Sequence, residues 1–239
     1  MLRWNGKLIS VNRGLAEWHE PQTPVLPYDM DFVFLARNFD GTKIPNSAVN
    51  GYGPANYLAQ GTLTVNGSGS SCYLSNGYSD SNYLYATIDS SQLDAMKANN
   101  GTYTYFIRVM AIANATTGGI LSWRMNSGYI YMIRSYNGQL QIHTNSANNL
   151  GNNFLLTTDR VYKVQVSGNK YYAENLDTGN TWSLTNSSNK TMGTKMTTFH
   201  AGYSGESYLQ RFYAVAGIGR ATTEEEDTII KNYLMSQGL

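Results

Sequence analysis

The stretch between Tyr103 and Leu184 decides the fold, and its centre shows the pattern most clearly: positions 129–144 read YIYMIRSYNGQLQIHT. Two runs rich in strand-forming residues flank the pair Asn137-Gly138. An Asn-Gly pair supplies two positions that tolerate a positive φ, which the tightest hairpin turn requires. The pattern therefore predicts an antiparallel hairpin at this point.

The same alternation of strand and turn continues on both sides of this hairpin. The strands predicted in this stretch are Tyr103–Ala111, Ile120–Met125, Tyr129–Tyr136, Gln139–Thr144, Val161–Ser167, Lys170–Leu176 and Thr181–Leu184. Further strands are predicted at Asp31–Ala36, Tyr83–Ile88, Met196–Tyr203 and Leu209–Ile218, with short edge strands or loops at Tyr57–Ala59, Thr62–Val65 and Cys72–Leu74. Short, evenly spaced strands joined by hairpins indicate an all-β antiparallel sandwich or barrel.

Two helices interrupt this pattern. Ser90 is placed to cap a short helix before the strand block. Near the C-terminus, Thr222 followed three residues later by Glu225 predicts a capping box, and the acidic first turn suits the helix dipole. The second helix carries one apolar stripe that we expect to pack on the sandwich: Ile229, Ile230, Tyr233 and Leu234.

Composition excludes several functions. The formal net charge of +1 and the lack of clustered basic residues argue against nucleic acid as a partner. A single cysteine, Cys72, forms neither an intrachain disulfide nor a multi-cysteine metal site. No apolar run approaches the ~18 residues of a membrane span, so we expect no membrane partner. The first residues also lack the apolar run of a secretory signal, which favours a protein made in the cytoplasm.

The chain divides into three predicted segments. Residues 1–27 form an arm rich in proline and tryptophan, in which Trp4 and Trp18 either cover a sheet edge or attach the chain to a neighbouring subunit. Residues 28–220 form the sandwich, and residues 221–239 form the closing helix.

Two segments then suggest a family. Positions 212–226 read FYAVAGIGRATTEEE and lead into the apolar stripe of the last helix; positions 102–109 read TYTYFIRV. Both segments resemble laminin G-like domains, where a last strand, an Arg-Ala turn and an acidic-capped helix close a concanavalin A-like jelly roll. Val109 departs from the pattern, because the family commonly has tryptophan there. The resemblance implies a jelly roll over roughly residues 30–235. It also implies a relation to lectins and glucanases.

The glucanase relation requires a search for catalytic carboxylates. Retaining glycosidases need two carboxyl groups about 5–5.5 Å apart, and no strand here carries an E-x-D-x-E arrangement. We interpret Asp29, Asp31 and Glu174 as solvated or turn-forming acids and expect no enzyme activity. The histidines lack metal-ligand spacing, so the sequence predicts no cofactor. The resemblance alone raises calcium, for which Asp40, Asp80 and Asp89 would be the ligands.

Binding remains as the predicted function. Tyrosine rings can stack on sugar faces while Arg, Asn and His take hydroxyl groups, which is the chemistry of a carbohydrate site. On one strand Arg134 and Tyr136 share a face, and on its neighbour Arg124 shares a face with a serine. The candidate ligand-binding residues are Arg124, Arg134, Tyr136, His143 and Tyr203. Each of these tyrosines has an alternative role in covering the core.

We therefore expect a non-catalytic, lectin-like adhesion module, most simply a virion component of a tailed bacteriophage that binds host-surface glycan. Residues 1–27 would join it to other virion subunits or to copies of itself. One alternative is a purely structural virion protein without a ligand. The others are a secreted or surface-attached bacterial lectin-like domain, or a glycoside hydrolase relative.

Overall fold

The computed structural model describes residues 2–4, 7–9, 26–27, 29–49, 51–77, 79, 81–96, 102–111, 117–125, 128–143, 147–185, 193–199 and 210–239. Within these ranges the strands are β1 (Leu2–Trp4), β2 (Lys7–Ile9), β3 (Phe32–Leu35), β4 (Lys43–Pro45), β5 (Asn56–Gln60), β6 (Thr64–Asn66), β7 (Tyr73–Ser75), β8 (Tyr83–Thr87), β9 (Thr102–Ala111), β10 (Thr117–Met125), β11 (Gly128–Tyr136), β12 (Gln139–His143), β13 (Ala147–Asn149), β14 (Arg160–Ser167), β15 (Lys170–Asn175), β16 (Asn180–Thr185), β17 (Lys195–Thr198) and β18 (Gln210–Ile218). The helices are α1 (Ser90–Met96) and α2 (Glu224–Ser236).

The strands form two large antiparallel sheets. Sheet I has the order β13-β12-β11-β10-β17-β8-β5-β4. Sheet II has the order β16-β15-β14-β9-β18-β7-β6, and β3 also pairs with β18. The short strands β1 and β2 pair with each other. Two facing antiparallel sheets with a C-terminal helix confirm the predicted jelly-roll sandwich.

Aromatic side chains join the two sheets across the core. The ring of Phe34 in sheet II stacks on Tyr57 in sheet I with centroids 4.9 Å apart, and Tyr57 meets the edge of Phe212. Tyr105 in sheet II lies 6.0 Å from Trp123 in sheet I. All five side chains are at most 1% exposed. Rings bury large apolar areas and prefer such offset or edge contacts, so these contacts hold the two layers together.

The hairpin predicted at the start is present. Asn137 and Gly138 have φ values of 50° and 73°, as a two-residue turn with two positive-φ positions requires. The turn connects β11 to β12, with Tyr136 opposite Gln139 in the ladder. Because the turn fixes the register, it also fixes which side chains of the two strands share a face.

Some local predictions differ from the structure. The capping box of α2 uses Thr223 and Glu226, one residue later than predicted. Helix α1 is capped by the Asp89 carboxylate, which accepts from the Gln92 backbone N–H at 2.8 Å, and Ser90 lies inside the helix. The three-residue strands β4 and β13 were not predicted, because they are too short to show alternation. The predicted strand Met196–Tyr203 is found only as β17, and residues 200–209 lie outside the described ranges.

Helix α2 covers the outer side of sheet II, as the apolar stripe predicted. Ile230 and Leu234 are fully buried against a second core cluster that includes Val33, Phe106 and Val161. Polar contacts fix the helix at both ends. The Lys163 ammonium meets the Asp227 carboxylate in the first turn, and the Arg108 guanidinium donates to the last carbonyls of the helix.

The interpretation of Asp31 as a solvated acid is wrong. Asp31 is 3% exposed, and one of its carboxylate oxygens accepts from the Tyr103 hydroxyl at 2.8 Å. Burial raises the pKa of Asp31 from 3.8 to about 6, although the Tyr103 hydrogen bond opposes the shift. The sequence misleads here because an aspartate beside prolines usually lies at the surface.

Burial of Asp31 should make stability depend on pH. A carboxyl whose pKa is raised in the folded state stabilises the fold fully below its unfolded-state pKa near 3.8. That stabilisation is lost as the pH rises through the folded-state pKa of about 6. We expect the loss to be up to about 3 kcal/mol, since one pKa unit is about 1.4 kcal/mol. Denaturant unfolding between pH 4 and pH 7, compared with Asp31→Asn, measures it; a difference between the two proteins that is constant over this range would contradict the burial argument.

The comparison with Asp31→Asn is needed because other acids act in the opposite direction. The Arg220 guanidinium lowers the pKa of Glu226 from 4.5 to about 2 and also lowers the pKa of Asp29. A carboxyl whose pKa is lowered in the folded state stabilises the fold at higher pH, and that stabilisation is lost as the pH falls through its folded-state pKa. Their contribution is common to both proteins and cancels in the difference.

Candidate binding face

The outer face of sheet I is the side that points away from the sandwich core. Side chains alternate along each strand, so residues on β8 divide between the two faces. Leu84 and Ala86 lie in the core and are at most 1% exposed. Tyr83, Tyr85 and Thr87 therefore occupy the outer face.

Tyr83, Tyr85 and Lys195 form a group on this face, which we call the Tyr–Lys cluster. The two rings lie on the same strand with centroids 6.0 Å apart and planes inclined by 57°. The Lys195 ammonium on the adjacent strand lies 4.9 Å from the centre of the Tyr85 ring and 5.7 Å from that of Tyr83. All three side chains are half-buried. The cation–π contacts favour this position of the charge and leave the cluster accessible to solvent.

Further accessible side chains surround the cluster. In the ladder Leu58 lies opposite Tyr85 and Gln60 lies opposite Tyr83. Leu58 is 37% exposed, and Gln60 and Thr87 are exposed. The surface thus combines aromatic rings, an apolar side chain, an amide, a hydroxyl and a cation. Rings of this kind stack on the C–H face of a sugar while the polar groups bind its hydroxyls.

Three of the residues predicted from the sequence lie on the same outer face, several strands away. Arg134 pairs with Gln141, Met132 with His143, and Tyr136 with Gln139 across β11 and β12. Cross-strand partners share a face, so His143 lies on the same face as Arg134 and Tyr136, which were predicted to share one.

Their exposure differs. Arg134 is 8% exposed, and its Nε–H donates to the side-chain oxygen of Gln141. Tyr136 is 37% exposed. Burial lowers the pKa of His143, and the nearby Arg134 charge lowers it further, so the imidazole is neutral at pH 7. Of the three, Tyr136 is the most exposed.

The structure says less about the remaining predicted residues. Arg124 occupies the β10 position opposite Lys195 on β17. Trp4 occupies the end of β1, opposite Lys7. Tyr203 and Trp18 lie outside the described residues. The roles predicted for these four stay predictions.

The sequence analysis missed the Tyr–Lys cluster. The alternation Tyr83-x-Tyr85 was a readable signal, because the segment was predicted to be a strand and both tyrosines must share a face. Lys195 carried no such signal. Its place beside Tyr85 follows from the pairing of β17 with β8, whose residues are more than a hundred positions apart in the chain.

The acids considered for catalysis or calcium have other contacts. The Asp29 carboxylate pairs with Arg220 at 2.6 Å, and the Glu174 carboxylate accepts from the Tyr172 hydroxyl. Asp40 accepts from Thr42, and Asp80 lies outside the described residues. Among the residues that the structure describes, no three His, Cys, Asp or Glu side chains are grouped to hold a metal ion. In the same residues no helix has the length and apolar character to cross a membrane.

Solved structures share this architecture. The binding domain of botulinum neurotoxin DC in complex with SialylT matches with a TM-score of 0.60 and 12% identity over 86% of this chain. The same domain in complex with rat synaptotagmin II matches with a TM-score of 0.61 and 11% identity over 86%. A structure described as showing that cell entry of botulinum neurotoxin type C depends on two ganglioside molecules gives 0.59 and 10% over 86%.

The chain spans about half the length of these binding domains, 51–52%. At such identities the likeness shows the fold, a β-sandwich, and nothing finer. No family model and no curated protein matches the sequence.

Proposed function

We propose that this chain is a non-catalytic carbohydrate-binding module and that its site lies on the outer face of sheet I. The observation that carries the proposal is the Tyr–Lys cluster. Tyr83 and Tyr85 present two rings at the surface of a rigid strand, with Gln60 and Thr87 exposed beside them. A site on sheet strands needs little ordering when a ligand binds, which favours affinity.

The fold comparison supports the same class of function. One of the neighbours was solved in complex with SialylT, and another is described as dependent on two ganglioside molecules for cell entry. Those properties belong to those proteins. They show that a sandwich of this architecture occurs in receptor-binding domains that recognise glycans, and the Tyr–Lys cluster gives this chain the side chains for it.

The proposal includes a place of action. The module belongs to a bacteriophage virion and binds glycan on the host surface, and residues 1–27 attach it to other virion subunits. The proline- and tryptophan-rich composition of that arm supports an attachment role. Tail or capsid genes on either side of the coding sequence would support this part, and genes for secreted enzymes would contradict it.

Replacing Tyr85 tests the site. We expect Tyr85→Ala to weaken binding to the best ligand of a glycan array about tenfold, since an aromatic contact contributes about 0.5–1.5 kcal/mol beyond its buried area and 1.4 kcal/mol is tenfold. Titration calorimetry measures the dissociation constant. Circular dichroism of Tyr85→Ala tests whether the variant still folds, because Tyr85 is half-buried.

Two further tyrosines serve as references. Tyr52 is 63% exposed on the loop before β5, and Tyr52→Ala should leave the affinity unchanged. Tyr136→Ala separates the two ends of the outer face, because Tyr136 lies with Arg134 and His143 rather than with the Tyr–Lys cluster. A loss with Tyr136→Ala and none with Tyr85→Ala would place the site at the end predicted from the sequence. An array on which no glycan binds would favour a structural protein instead.

A further inference from the structure

The eight strands of sheet I carry basic residues and no acidic ones. None of them contains an aspartate or glutamate. They contain four permanent cations and one histidine, namely Lys43, Arg124, Arg134, Lys195 and His143. For the whole chain basic and acidic residues nearly balance, at 17 and 16. The sheet is therefore basic because the acids lie elsewhere, not because the protein is basic.

The strands of sheet II have a similar excess of cations, five against the single acid Glu174, but its cations differ in their partners. Its buried cations have carboxylate partners: Arg108 pairs with Asp159 at 2.7 Å, and Lys163 pairs with Asp227 at 2.6 Å. These pairs serve the packing of α2. Lys195 in sheet I has no carboxylate within 4 Å among the residues that the structure describes.

Lys195 nevertheless packs against aromatic rings. Its ammonium lies over the Tyr85 and Tyr83 rings, and its strand position faces Arg124 on one side and Thr87 on the other. A lysine that only solubilises a surface needs no such aromatic support. A positioned cation without a carboxylate partner at the surface is available to an anion.

Two acids that flank strands of sheet I in the chain have other contacts. Asp89 follows β8, but its carboxylate accepts from the Ser91 hydroxyl at 2.6 Å and from the Gln92 N–H at 2.8 Å. Asp40 precedes β4, and its carboxylate accepts from the Thr42 hydroxyl at 2.7 Å and from the Lys43 N–H at 2.9 Å. Both carboxylates hold turns or caps.

We infer that the outer face of sheet I selects acidic saccharides, and that Lys195 binds the carboxylate or sulfate of the sugar while Tyr83 and Tyr85 contact its ring. This inference rests on the proposed function and adds the class of ligand. The Lys195 ammonium donates charge-assisted hydrogen bonds to the anionic group. A neutral sugar of the same shape would keep the ring contacts and lose that contribution.

The experiment uses the full chain and an array on which acidic glycans lie beside neutral counterparts. The pairs are sialyllactose and lactose, sulfated and unsulfated galactosides, and oligogalacturonate and its methyl ester. Comparing the sulfated pair with the two carboxylate pairs identifies the anionic group. We expect the acidic member of a pair to bind at least about tenfold more tightly, as a charged hydrogen bond typically contributes.

Lys195→Gln then removes the charge and keeps most of the side-chain length. It should reduce the affinity for the acidic glycan about tenfold and change the affinity for the neutral one less than about twofold. Lys195→Arg should restore most of the difference. Raising the salt from about 0.05 M to about 0.5 M should weaken acidic binding in the wild type and have little effect in Lys195→Gln.

The outcomes separate the two proposals. If neutral and acidic members bind equally, or if Lys195→Gln weakens both equally, the charge inference is overturned and the carbohydrate-binding function survives. If no member of any pair binds, the proposed function fails and the inference fails with it. Binding of an acidic peptide or nucleic acid in preference to every acidic glycan would also overturn the inference.

Discussion

Replacing Arg108 with methionine is expected to lower the free energy of unfolding by about 3–5 kcal/mol, the cost typical of breaking a buried charged network. Arg108 is 3% exposed, and its guanidinium forms two hydrogen bonds with the Asp159 carboxylate. It also donates to the carbonyls of Leu234 and Met235 at the C-terminal end of α2, where the Gln237 N–H is a second donor to Leu234. Methionine fills part of the volume but removes this donor from the Leu234 and Met235 carbonyls, whereas water can replace it at the Asp159 carboxylate, which is 35% exposed. Denaturant unfolding monitored by circular dichroism measures the loss.

A matched arginine provides the control for this prediction. Arg211 also lies over a tyrosine ring, 4.9 Å from the centre of Tyr73, but its side chain is exposed. Arg211→Met should change the free energy of unfolding by less than about 1 kcal/mol, because exposed cation–π contacts are weak. Equal losses for the two variants would show that the contacts of Arg108 with the helix end do not stabilise the fold.

A second large loss in the free energy of unfolding is expected for Lys163→Met. The Lys163 and Asp227 side chains are only 7% and 9% exposed, and their charged atoms lie 2.6 Å apart beneath α2. The substitution leaves the Asp227 carboxylate buried with the Thr222 hydroxyl as its remaining side-chain donor. We expect a loss of about 3–5 kcal/mol, because an uncompensated buried charge is strongly destabilising.

The same substitution at Lys231 is the control. Lys231 pairs with Asp177 at 2.8 Å, but both side chains are about one quarter exposed. Water can therefore replace the lost partner, and Lys231→Met should cost less than about 1 kcal/mol. The double variant Lys163→Met/Asp227→Leu should recover most of the stability by removing both charges. A double variant as unstable as Lys163→Met alone would show that packing, rather than the unpaired carboxylate, causes the loss.

The parts of the fold that depend on local sequence were predictable. The Asn137-Gly138 turn, the strands around it and the amphipathic closing helix follow from turn chemistry and side-chain periodicity. The cap of α2 was displaced by one residue because Thr222 and Thr223 are adjacent and three glutamates follow. Either threonine satisfies the capping pattern, and only the tertiary contacts of the helix decide between them.

The order of strands within each sheet could not be predicted from the sequence. Sheet I inserts β17 between β10 and β8, which brings Lys195 beside Tyr85 from a distant part of the chain. Such pairings depend on burial across the whole sandwich and leave no local periodic signal. For the same reason the burial of Asp31 was missed. Its Tyr103 partner lies on β9, 72 residues further along the chain.

The candidate site contains features that could be predicted from the sequence and features that could not. Side-chain alternation along the predicted strand placed Arg134 and Tyr136 on one face, and the ladder between β11 and β12 in the structure adds His143. The same reasoning gave no measure of exposure, so the buried Arg134 ranked with the accessible Tyr136. Exposure depends on what covers a sheet, whereas alternation depends on the strand alone. The Tyr–Lys cluster is accessible and rests on two strands, and it therefore replaces Arg134 as the centre of the proposed site.

The position of a bound glycan tests the proposed site most directly. The decisive measurement is a crystal structure of the full chain soaked with the best glycan from the array. We expect density for a sugar ring against Tyr83 and Tyr85, with an anionic group within about 3 Å of the Lys195 ammonium, as charge-assisted hydrogen bonds require. A sugar bound on the α2 side of sheet II, with the outer face of sheet I empty, would contradict it.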